Sequence, residues 1–181
     1  TLDSTINSAR QRFQQTRYVQ TNVTCTQDPT IAQATGIAAA VPDGYNAVIY
    51  NRGALYIRAI QVFAPGFKLT SAMTADPVVQ RRFNAREVPL ARFRLRADLA
   101  FFETAICLTR MAPELATQLM HTEDYDQITR IEAAMVAKGK PCVSNARKVY
   151  FDPMQFRFYV ADATYRWMVA AQGTTSLIPA A

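Results

Sequence analysis

Histidine is almost missing from this chain of 181 residues: His121 stands alone. Cysteine occurs three times, at Cys25, Cys107 and Cys142, far apart and without a CxxC pair. A structural zinc site takes four ligands at recognisable spacings, so no metal is expected, and no other cofactor. The glycines are scattered at positions 36, 44, 53, 66, 139 and 173, which excludes a glycine-rich phosphate loop. No Gly-x-Ser-x-Gly elbow presents a nucleophile. Long apolar runs are missing too. A membrane helix needs about eighteen consecutive apolar residues, and the uncharged run at residues 29–42 falls short of that and is interrupted by Gln33, Thr35 and Gly36. The opening TLDSTINSARQRF lacks the apolar core of a signal peptide. A virion or the cytoplasm is the expected location.

Lysine is scarce as well, four residues against sixteen arginines, in a chain of formal charge +6 and pI near 9.5. A guanidinium is a planar fork that suits phosphate, so this bias leans towards anionic partners. A GC-rich genome produces the same bias. Six of the arginines, Arg81, Arg82, Arg86, Arg92, Arg94 and Arg96, fall within residues 81–96, where only Glu87 opposes them, for a net +5. These six are the candidate nucleic-acid-binding residues. Aromatic residues interleave with arginines here and elsewhere, as at Arg82-Phe83, Phe93-Arg94 and Arg157-Phe158. They read as core rather than as base-stacking platforms.

The apolar content of 50% and charged content of 19% describe a globular chain. The organisation expected is an N-terminal helical arm (1–20), a single globular domain (21–173) and a flexible tail (174–181). The fold class is α+β: predominantly helical, with one β-hairpin at about 45–63 and a short C-terminal strand at 148–151. Residues 45–50 and 54–63 are rich in Val, Ile, Tyr and Phe, and Asn51-Arg52-Gly53 between them reads as a hairpin loop. Residues 67–75 read as a connection with room for one short strand.

Three Asp-Pro pairs, at 28–29, 76–77 and 152–153, predict helix starts, with aspartate capping and proline at the first helical position. Residues 91–99 alternate as a strand would, while the longer apolar stripe favours a helix over 90–111 with Pro89 at its start. Further helices are expected from Pro113 to about Met120 and over 123–138, the second capped by Thr122 and stopped by Gly139. Residues 152–173 are ambiguous. Asp152-Pro153 and Gly173 frame a helix, whereas Phe156, Phe158 and Val160 alternate as in a strand.

Candidate chemistry is thin. His121 precedes Glu123 and Asp124, but a general base needs a positioned partner in a cleft, and a helix-terminal role is the plainer reading. Glu103 in the apolar run is expected to pair with Arg96 or Arg110. Cys107 reads as a small buried hydrophobe, leaving Cys25 and Cys142 as a pair that an oxidising compartment would join. A reducing compartment is the default. The expected function is a structural assembly subunit of coat or nucleocapsid type, not an enzyme. It would pack against identical subunits and contact nucleic acid, RNA in the first instance, independently of sequence. The alternative is a protein-only scaffold of a secretion or envelope machine.

Overall fold

The described residues of the computed structural model, 44–92, 94, 96–144 and 152–179, are 80% helical and contain no strand. Among the described residues seven α-helices follow one another: α1 (Gly44–Phe63), α2 (Ser71–Ala75), α3 (Pro77–Ala91), α4 (Arg96–Met111), α5 (Pro113–His121), α6 (Tyr125–Lys138) and α7 (Pro153–Gln172). A 3-10 turn, Lys140–Val143, follows α6. The expected N-terminal arm, the helix expected after Asp28 and the strand expected at 148–151 lie outside the described residues.

Local signals set several helix ends. The Asp76 carboxylate accepts from the Val78 amide at 2.6 Å to start α3, and Asp152 accepts from Gln155 at 2.7 Å to start α7. Each cap satisfies a donor that the first helical turn leaves without a partner. The cap of α6 is Asp124, which accepts from Gln127 at 2.7 Å, not the expected Thr122. Gly173 closes α7 in the left-handed conformation at φ 68°, which glycine adopts without steric cost.

Helix α7 is the axis of the fold, and α1, α3, α4, α5 and α6 all touch it. Every residue from Arg157 to Ala170 is buried. A helix with no solvated face loses the usual amphipathic stripe, which is why its aromatic run also fits a strand pattern. Its Trp167 stacks on Phe83 of α3, with ring centroids 4.1 Å apart.

The α+β expectation fails at α1. The tripeptide Asn51-Arg52-Gly53 is no hairpin loop; it lies in the middle of a twenty-residue helix. Both turn-like residues have tertiary reasons. Gly53 is buried where α1 crosses α7, and a Cβ there would overlap the Cβ of Phe158. Arg52 is only 8% exposed and points at carboxylates. The apolar residues around them, Tyr56, Ala59 and Ile60, recur at helical spacing on the buried side. The connection at 67–75 likewise holds a short helix, α2, in place of a strand.

The arginine stretch divides differently from the expected helix at 90–111. Pro89 lies in the last turn of α3 rather than at a helix start. Helix α3 ends at Ala91, and α4 begins at Arg96. The buried face of α4 runs through Asp98, Phe102, Ala105, Leu108 and Thr109. Cys107 is not a free core residue: it forms a disulfide with Cys142, joining α4 to the 3-10 turn. Beyond Gly173, Ser176 and Leu177 pack against α7. Leu177 is 7% exposed, and Ser176 meets the Tyr165 hydroxyl at 3.1 Å.

Candidate functional site

At the centre of the fold lies a polar cluster drawn from four elements and a turn. Arg52 comes from α1, Glu87 from α3, Arg94 from the turn before α4, Asp98 from α4, and Asp162 with Arg166 from α7. Arg94 bridges the Asp98 carboxylate at 3.0 Å and that of Asp162 at 2.9 Å. Arg166 donates to Asp162 at 2.5 Å and to Glu87 at 2.6 Å. Arg52 reaches both aspartates at 3.4 Å. Three guanidiniums and three carboxylates cancel, so the cluster is neutral. Tyrosines complete it: Tyr159 donates to Asp98 at 3.0 Å, and Arg166 donates to the Tyr56 hydroxyl at 3.1 Å. The Arg94 guanidinium also lies 3.5 Å from the ring centre of Phe102, a cation–π contact.

The protonation states follow from these contacts. Burial alone would raise the Asp162 carboxyl, but Arg166, Arg94 and Arg52 outweigh it and hold the group well below the usual carboxylate range. Burial would lower Arg166, yet Asp162, Tyr56 and Glu87 keep it well above its ordinary value. Burial pushes the Tyr56 phenol up to about 12. Glu87 moves upward: burial, helped by the charge of Asp162, exceeds the pull of Arg166. The cluster is charged, matched and closed. Removing one partner of such a buried set typically costs about 3–5 kcal/mol, because a charge is left without compensation.

A second buried acid is less well served. Glu132 of α6 is fully buried, and neither carboxylate oxygen has a hydrogen-bond partner among the described residues. Burial raises its pKa to about 8, against the opposing charge of Arg157 and with the help of Asp152. Arg157 spends one donor on the Thr122 carbonyl at 2.6 Å.

The six arginines singled out from the sequence meet different fates. Arg94 is taken up in the central cluster. Arg86 donates to the Thr175 carbonyl at 2.9 Å and pairs with Glu87 at 3.3 Å. Arg81, Arg82, Arg92 and Arg96 are exposed. The Arg82 guanidinium lies beside Gly173, at the C-terminal end of α7 where the helix dipole favours a cation. The one acid of the stretch, Glu87, is turned inward. From residue 77 to residue 96 the described surface therefore carries cations and no exposed carboxylate.

No local motif in the sequence groups Arg52, Asp98, Asp162 and Arg166. Their sequence signal is charge inside otherwise apolar helices, most visibly in YVADATYRWMV. Glu103 is exposed on α4, and among the described residues no ion pair joins it to Arg96 or Arg110. His121 is exposed at the end of α5, on a groove whose wall includes Glu114. Among the described residues, no three His, Cys, Asp or Glu side chains come together as a metal-ligand set. No helix among them is long and apolar enough to cross a membrane. No protein-family model, no curated protein and no solved structure matches the chain.

Proposed function

We propose that the protein is a structural assembly subunit of coat or nucleocapsid type, without catalytic activity, that meets nucleic-acid phosphates through Arg81, Arg82, Arg92 and Arg96. One observation carries this reading. The central cluster matches three guanidiniums with three carboxylates, whereas Arg81, Arg82, Arg92 and Arg96 are exposed and no exposed acid stands among residues 77–96. Such a surface suits a sequence-independent contact with a phosphate backbone. Purification of the full chain under nuclease-free, low-salt conditions tests it. Large particles with absorbance dominated by 260 nm support the reading. A monomer at high concentration that carries no nucleic acid removes it.

A protein-only scaffold is the second reading, and the Cys107–Cys142 disulfide favours it. Disulfides persist mainly in oxidising compartments, which include envelopes and secretion machinery. The same arginines would then face acidic protein surfaces, and the assemblies would survive nuclease unchanged.

A further inference from the structure

Away from the arginine stretch, the connection between α1 and α2 faces α5 across a surface groove of about 500 Å³. That volume falls within the range of small-molecule sites. The two walls are tied together. The Leu69 amide donates to the Thr117 hydroxyl at 3.2 Å, and the Ser71 amide donates to Glu114 at 2.6 Å. The Ser71 hydroxyl reaches the same carboxylate at 2.9 and 3.1 Å. The groove is thus pre-formed, which lowers the ordering cost of filling it.

Its lining is mostly apolar, with Pro65 and Phe67 on one wall. The charges around it are unequal in availability. Glu114 is occupied by Ser71, and those hydrogen bonds hold its carboxyl below the usual range although burial opposes them. Lys68 and His121 line the same groove and are exposed. Neither has a hydrogen bond or ion pair among the described residues. An apolar trough with two unengaged basic side chains, beside a carboxylate that Ser71 holds against the wall, suits an apolar body carrying one anionic group.

We propose that this groove binds a small apolar monocarboxylate, its hydrocarbon part against Pro65 and Phe67 and its carboxylate between Lys68 and His121. The site is separate from the arginine surface, so either proposal stands if the other fails.

A titration of the isotope-labelled full chain, followed by amide chemical shifts, tests it with three probes of one shape: 2-naphthoate, 2-naphthalenemethanol and 2-naphthylmethylammonium. Naphthoate should shift residues 65–70 and 114–121 saturably, and the neutral alcohol should bind at least about tenfold more weakly, the ammonium more weakly still. The Lys68→Ala/His121→Ala variant changes two exposed side chains and should keep the rest of the spectrum. It should lose at least about tenfold in naphthoate affinity. No saturable binding, equal binding of the three probes, shifts centred elsewhere, or an unaffected double variant would each overturn the proposal.

Discussion

Arg94 and Asp162 stand 68 positions apart in the chain and 2.9 Å apart in the fold. That contact ties the break between α3 and α4 to the central helix α7. It also removes one member of the arginine stretch from the surface. Replacing Asp162 by Asn would leave three buried guanidiniums facing two remaining carboxylates, Asp98 and Glu87. The expected loss in stability is about 3–5 kcal/mol by urea denaturation, whereas Glu103→Gln on the surface of α4 should change it by less than about 0.5 kcal/mol. Equal effects would mean that the cluster does not hold the helices together.

Gly53 offers a test in which the sign decides. In an exposed helix, glycine to alanine is worth about 1 kcal/mol of added stability. Here the added Cβ would meet the Cβ of Phe158, which is part of a packed helix and cannot swing aside. Gly53→Ala should therefore destabilise the domain by about 1–3 kcal/mol. Gly66 has nothing within 4 Å of the equivalent position, and Gly66→Ala serves as the control. A stabilised Gly53→Ala protein would contradict the close crossing of α1 and α7.

The Glu132 carboxyl makes stability depend on pH. Its pKa is raised in the fold from 4.5 to about 8. Between those values the folded protein holds a proton that the unfolded chain has released. Stability should then fall as pH rises through that window, and the contribution is fully present only below about pH 4.5. Glu132→Gln keeps the shape without the proton and should flatten this slope. Chemical denaturation at pH 5, 6, 7 and 8 checks it; an unchanged slope in the variant would assign the dependence to other groups.

The disulfide closes a loop of 35 residues between α4 and the 3-10 turn. On the chain-entropy account, such a closure is worth about 3–4 kcal/mol. Cys107→Ser, or reductant added to the wild type, should lower the denaturation midpoint accordingly. Peptide mapping without reduction should recover the Cys107 and Cys142 peptides joined. If the midpoint is insensitive to reductant, the bond does not contribute to the fold.

What the sequence discloses and what it hides separate along one line. Asp76-Pro77, Asp152-Pro153 and Gly173 are legible because each acts on backbone groups within a few residues of itself. Asn51-Arg52-Gly53 misleads because its purposes lie elsewhere: Gly53 makes room for Phe158, and Arg52 answers Asp98 and Asp162. Phe156, Phe158 and Val160 imitate a strand because α7 is surrounded and needs no polar face. Arg94 and Arg96 look alike in the sequence, yet one is inside and one outside. The difference rests on a break between two helices and on a carboxylate of α7. Cys142 joins Cys107 for a reason no spacing contains, the fold bringing α4 beside the turn after α6.

Binding of a single-stranded RNA oligonucleotide across a salt series decides whether the outward guanidiniums meet phosphate. Four contacts, from Arg81, Arg82, Arg92 and Arg96, should give a slope of log K against log salt of about −3. Replacing all four by glutamine should bring that slope close to zero in a protein that still folds cooperatively. No measurable binding at low salt, or a slope that survives the fourfold replacement, would contradict the assigned surface.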